Sequence, residues 1–98
     1  MPENEIIRIH MWVTGRVQGV GFRAHVEYHA RQVGGITGWV RNVGYDVVEV
    51  VAEGERSSVE RFAAFVKQGP AGAHVNESRL EDETPTGEFS DFSVRRSL

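Results

Sequence analysis

The residues best suited to chemistry lie in one stretch, Gly15-Arg16-Val17-Gln18-Gly19-Val20-Gly21-Phe22-Arg23, between a strand-like run and the start of a helical pattern. Three glycines let the main chain curl, so that successive backbone N–H groups can converge on one point and form an anion nest. A helix N-terminus adds unpaired N–H groups and the positive end of its dipole, for which phosphate is the natural occupant. The candidate phosphate donors are therefore the backbone N–H groups of Arg16, Val17, Gln18, Gly19 and Val20. Arg23, in the first helical turn, would close a guanidinium fork over the same group. Two plainer readings stay open on residue type alone. The glycines could serve only the bends of an ordinary strand-to-helix connection, and Arg23 could pair with Glu27 one turn on.

Rival nucleotide motifs fit poorly. Gly19-x-Gly21-x-x-Ala24 matches the dinucleotide-binding pattern, with Asp46 at a suitable distance. However, Gly19 lies several residues past the strand, Arg23 occupies the tight first turn, and 98 residues are too few for the doubly wound domain that motif needs. No Gly-Lys-Ser/Thr is present, which excludes a P-loop. His25 and His29 are spaced as metal ligands on one helical face, but His-Val-Glu-Tyr-His is not the zinc-protease order and no third ligand accompanies them. They are read as a solvated helix flank, and no metal is expected. Trp12 and Trp39 are read as packing residues, because the aromatic-rich strand signature of RNA-recognition domains is missing.

The elements that must position the loop follow from hydrophobic period. Ile7, Ile9, Met11 and Val13 alternate with Arg8 and His10, predicting a half-buried strand over Ile6 to Val13 and a loop over Thr14 to Gly21. Phe22, Val26, Ala30 and Val33 predict an amphipathic helix stopped by Gly34-Gly35. Ile36 to Val43 and Val47 to Glu53 predict a hairpin around Gly44-Tyr45-Asp46. Ser57 and Glu60 form a capping-box pattern before Val59, Phe62, Ala63 and Val66, and Gly69-Pro70 ends that helix. A weakly patterned strand near Val75–Asp82 follows, then a turn-rich acidic stretch, whose Glu81-Asp82-Glu83 is read as a solvated edge. A final strand is expected over Phe89 to Arg95. This order predicts an α+β fold: a ferredoxin-like sandwich with two helices packed on one face of a mainly antiparallel four- to five-stranded sheet. Residues 1–98 are expected to form a single domain, with 1–5 as a polar tail.

Eleven Lys and Arg against fourteen Asp and Glu give a net charge of −3, with a pI near 5.8. That balance argues against a nucleic-acid partner, which calls for a basic face. With no cysteine there is no disulfide, thiolate nucleophile or iron–sulfur site. The start, MPENEIIRIH, is not a secretory signal, and no apolar run approaches the ~20 residues of a membrane helix. The chain is expected to be cytoplasmic, to avoid membranes and to act as a monomer. The sequon Asn76-Glu77-Ser78 is then a chance match.

Gly15-Arg-Val-Gln-Gly-Val-Gly-Phe-Arg23 followed by Gly38-Trp-Val-Arg-Asn42 resembles acylphosphatase, the small hydrolase of acyl phosphates. The likeness extends over nearly the whole chain, through the Ala30…Gly34…Gly38-Trp39 spacing, Gly69-Pro70 and the closing Phe89-Ser-Asp-Phe-Ser-Val94. It implies a ferredoxin-like fold without metal or cofactor. It also implies that the loop and Arg23 hold the phosphate of a small acyl phosphate, that Asn42 positions the attacking water, and that inorganic phosphate is product and competitive ligand. On residue type alone Asn42 would be assigned to the hairpin turn; the Gly-Trp-Val-x-Asn context reverses that. The sequence departs from the family at Gly44-Tyr45-Asp46, where the family commonly carries a later glycine, often Asp-Gly, and this bears on the hairpin and the substrate rim. The chemistry is consistent with so sparse a site. The leaving carboxylate has a pKa near ~4–5 and departs unprotonated, so no general acid is needed. Two other readings share the loop: an anion-binding module without turnover, and a module of a larger enzyme that processes carbamoyl phosphate.

Overall fold

The computed structural model describes Pro2 and residues 4–98; Met1 and Glu3 of the expected polar tail lie outside the described residues. The elements are β1 (Ile6–Arg16), α1 (Phe22–Val33), β2 (Thr37–Val43), β3 (Val47–Glu55), α2 (Arg56–Gln68), β4 (His74–Glu83) and β5 (Phe92–Val94). They form a sheet of order β4-β1-β3-β2-β5. Its pairs are antiparallel except β2 with β5, which run parallel. Both helices cover one face, the ferredoxin-like sandwich that the element order predicts.

The period-two pattern of β1 puts Ile9, Met11 and Val13 under the helices, where they meet Val48, Val50 and Ala52 of β3 and Val40 of β2. From above come Phe22, Val26 and Ala30 of α1 and Val59, Phe62, Ala63 and Val66 of α2. Each large side chain fully buried in this layer contributes about 1.5–3 kcal/mol of transfer free energy. Phe92 of β5 closes the core edge-on against Phe62, with ring centroids 5.5 Å apart.

Several boundaries differ from expectation: β2 starts one residue late, at Thr37, β3 runs on through Gly54 to Glu55, which pair with Ile7 and Ile6 of β1, and the others are as follows. β1 continues through Gly15 and Arg16, which pair with Val75 and His74 of β4 after a register shift at Thr14/Gly15. The loop before α1 is therefore only Val17 to Gly21. α2 begins at Arg56, not behind a Ser57 cap. The Arg56 N–H is taken by the Glu5 carbonyl at 2.8 Å and its guanidinium by the Glu5 carboxylate at 2.9 Å, so the capping box is not formed. Glu5 is thus tied to α2 rather than part of a free tail. β4 runs slightly past its expected ends, and β5 is shorter than Phe89 to Arg95. The shortening reflects Phe89, whose ring lies under the Arg8 guanidinium at 5.3 Å, and the Asp91 carbonyl, which accepts from Gly38 N–H.

The face opposite the helices is covered by polar side chains and by the segment between β4 and β5. Glu53 is only 4% exposed. It accepts from Arg8 Nη1 (2.9 Å), Thr86 N–H (3.0 Å) and Gly87 N–H (3.0 Å). Glu49 is bound by Arg41 Nε at 2.7 Å and lies 2.6 Å from His10 Nε2, while His10 Nδ1 is 2.8 Å from Glu83. Glu83 is therefore part of this network rather than a merely solvated edge. Both tryptophans also pack here: His10 stacks on Trp12 at 3.9 Å, and Arg41 and Arg95 lie over Trp39 at 4.7 and 4.9 Å.

Burial alone would push the Glu53 carboxyl up, but the bonds from Thr86, Arg8 and Gly87 hold it below the ordinary carboxylate range. His10 and then Arg8 lower Glu83, and Arg8 and Thr86 lower Glu88. Groups lowered in the folded state stabilise it above their unfolded pKa, near ~4.3, and that stability is lost as pH falls through the folded values. The melting temperature is therefore expected to drop steeply between about pH 5 and pH 3, and less steeply in Glu53→Gln. A wild-type melting temperature that stays level down to pH 3 would contradict this account.

Candidate active site

β1 and α1 are joined by five residues whose backbone does most of the positioning. Val17 is buried in the core at 1% exposure and pins the start of the loop. Gly19 (φ 73°) and Gly21 (φ 78°) are left-handed, a conformation that other residues adopt only with strain. Gly21 is also the N-cap of α1, without a capping side chain. Its carbonyl accepts the first helical bond, from His25 N–H at 2.9 Å. Among the described residues no backbone carbonyl accepts from the N–H groups of Val17 to Gly21. A glycine-bent turn thus delivers free donors to a helix N-terminus.

A cavity of about 340 Å³ opens in front of this turn, lined by Val17, Gln18, Gly19, Gly21, Phe22, Arg23, Ala24, Glu27, Asn42 and Val94. Arg23 is half-buried on its wall. It forms none of the ion pairs found among the described residues, and Glu27 is instead bonded to Arg31, at 3.3 Å. The Arg23–Glu27 pair that the spacing allowed does not form. The guanidinium is left as a cation facing the cavity, where its fork can take a tetrahedral anion.

Asn42 enters from β2, opposite Val48 of β3. It is 9% exposed, and its carbonyl accepts from Leu98 N–H at 2.9 Å. Its side-chain amide has no hydrogen-bond partner among the described residues, although an asparagine serving the turn would bond its backbone. An amide with a free donor and a free acceptor at a cavity wall can hold a water.

The cavity thus gathers Val17, Gln18 and Gly19 of the loop, Arg23 of α1 and Asn42 of β2. Two of the expected loop residues lie outside its wall: Arg16 is exposed at the end of β1, and Val20 packs against the core. The sequence reading did not find Ala24, Glu27 or Val94 as wall residues. The i+4 spacing of Glu27 from Arg23 was the available signal, and it pointed to an ion pair instead. Tyr45, 97% exposed, and Asp46 do not line the cavity; the turn reaches its wall through Gln18, whose Nε2 donates to the Gly44 carbonyl at 3.1 Å. The two histidines also differ from a solvated flank. His29 stacks on Phe65 of α2 at 3.9 Å, and His25 Nε2 lies 3.2 Å from the Phe65 carbonyl.

A small α+β sandwich thus brings a glycine-bent donor loop, an arginine without an ion-pair partner among the described residues and a free amide to one cavity. Comparison with known proteins narrows the class. The family model Acylphosphatase matches residues 9–94. A relative named acylphosphatase from Roseiflexus sp. (strain RS-1) is 44% identical over 90 residues, 92% of this chain and 96% of its own length. The acylphosphatase of Bacillus subtilis superposes with a TM-score of 0.85 at 31% identity, covering 91% of this chain and 98% of that one. Full-length HypF, solved in a phosphate- and nucleotide-bound form, contains a similar unit (TM-score 0.84, 26% identity) that spans 95% of this chain but only 12% of HypF. The chain belongs to the acylphosphatase family.

Proposed function

We propose that this acylphosphatase cleaves the carboxyl–phosphate anhydride of a small acyl phosphate in the cavity between the Val17–Gly21 loop and Asn42. The observation that carries this reading is the convergence of free loop N–H groups, an unpaired Arg23 and an unpartnered Asn42 amide on one cavity. The free N–H groups of the Val17–Gly21 loop and Arg23 bind the phosphoryl oxygens. They stabilise the charge those oxygens carry in a loose transition state. Asn42 holds a water in line with the scissile P–O bond. As the water oxygen bonds phosphorus, that P–O bond breaks and its electron pair leaves on the carboxylate oxygen. The water proton passes to a phosphoryl oxygen, so no side chain acts as base. Reaction is metal-independent, and the products are a carboxylate and inorganic phosphate.

In this reading residues 1–98 act as one acylphosphatase-like unit, a cytoplasmic monomer without cofactor or nucleic-acid partner. Benzoyl phosphate is the direct test. Hydrolysis in the presence of a chelator is expected, with inorganic phosphate as a competitive inhibitor and a kcat nearly flat from about pH 5.5 to 7.5. Phosphate binding without turnover would reduce the protein to an anion-binding module. A bell-shaped profile with a histidine-like limb would reject the base-free mechanism.

A further inference from the structure

β1, which leads into the phosphate loop, and β2, which carries Asn42, are not neighbours: β3 lies between them. The two ladders that flank β3 meet at Val48, which pairs with Val13 and with Asn42, but the loop lies beyond the last β1–β3 pair, Thr14 with Val47, and in-line attack depends on the distance from that loop to Asn42. The Gln18 side chain spans the gap. Its Nε2 lies 3.0 Å from the Val47 carbonyl, 3.1 Å from that of Gly44 and 3.4 Å from that of Val43. An amide nitrogen has two protons, so it makes two good bonds and shares one with the third acceptor. These carbonyls bracket the β2–β3 turn, and Val43 directly follows Asn42. One backbone bond supports the same junction, Gly15 N–H to the Asp46 carbonyl at 2.9 Å. Among the described residues no other side chain hydrogen-bonds the loop to this hairpin.

We propose that the Gln18 side chain is a positioning residue: it clamps the phosphate loop to the β2–β3 hairpin and so sets the phosphorus-to-water geometry that Asn42 serves. This rests on the hydrolytic reading above and adds to it, since there Gln18 contributes only its backbone N–H. Both Nε2 protons of Gln18 go to these carbonyls rather than to the cavity. Its removal therefore leaves the donors of the loop and Arg23 in place and acts on the barrier alone. A displacement of about 1 Å between reacting groups costs up to ~100-fold in rate.

The test is a double-mutant cycle in the full chain with benzoyl phosphate as substrate. Gln18→Met keeps the side-chain length and removes the donor; Gln18→Ala repeats the cycle without any risk of overpacking. Either variant is expected to lower kcat about 10- to 100-fold, with the inhibition constant of inorganic phosphate unchanged within about threefold. In an Asn42→Ala background the same change is expected to cost less than about threefold, because its effect runs through Asn42. An equal loss in both backgrounds, or a loss of phosphate affinity matching the loss of kcat, overturns the proposal. So does wild-type kcat in both Gln18 variants. None of these outcomes touches the hydrolytic reading, which fails separately if the wild-type chain does not turn over benzoyl phosphate.

Discussion

Arg23→Ala is expected to lower kcat/KM for benzoyl phosphate by about 10³- to 10⁴-fold and to weaken inhibition by inorganic phosphate at least tenfold. The scale follows from what the side chain supplies. A single preorganised donor at a developing oxyanion is worth about 10²–10³ in rate, and an arginine on a transferring phosphoryl group about 10³–10⁵. Here the guanidinium is the one cationic side chain on the cavity wall, so no neighbour substitutes for it. Stability should hardly change. Arg23 is half-buried and has no carboxylate partner among the described residues, so its loss orphans no buried charge. Arg23→Lys refines the test: it keeps the charge but loses the two-pronged geometry, and should recover only part of the rate. A kcat/KM within tenfold of wild type in Arg23→Ala, with the melting temperature intact, would remove Arg23 from the reaction and the phosphate assignment with it.

That this arginine stands out in the sequence as a candidate reflects how local the loop and helix start are. The loop is contiguous, its glycines are dictated by backbone conformations that Gly19 and Gly21 do adopt, and the helix that presents Arg23 announces itself through Phe22, Val26 and Ala30. Strand and helix periods likewise yielded the two-layer fold, because burial on one face leaves its mark residue by residue. What the sequence did not disclose depends on pairs of residues far apart in the chain. The open face of the sheet is an example. Arg8, His10, Glu49, Glu53 and Glu83 read singly as exposed charges on strands. They become a connected network only once β3 is known to lie between β1 and β2 and the segment after β4 is known to fold back over Glu53. The α2 cap was misplaced for the same reason: Ser57 and Glu60 satisfy a local rule, while the contact that starts the helix comes from Glu5. The side-chain bond of Gln18 to the hairpin was equally invisible, since its acceptors are main-chain carbonyls that any sequence would possess.

Asn42 was legible only through the company it keeps, and its substitution gives the sharper test of mechanism. Asn42→Ala is expected to reduce kcat by about 10²- to 10³-fold while the inhibition constant of inorganic phosphate stays within about twofold of wild type. In the proposed mechanism the loop N–H groups and Arg23 hold phosphate, and none of them bonds the Asn42 amide, so ground-state binding should survive. What is lost is the placement of water, an interaction that matters only as the barrier is crossed and so falls on kcat. Folding should tolerate the change. The amide has no protein partner among the described residues to be orphaned, and the strand is held by its main chain through Val48, Leu98 and β3. The two substitutions therefore separate the two halves of the site: one removes affinity and rate together, the other rate alone. If Asn42→Ala instead lost phosphate affinity in step with kcat, the amide would belong to the anion pocket, and the attacking water would have to be oriented by the loop itself.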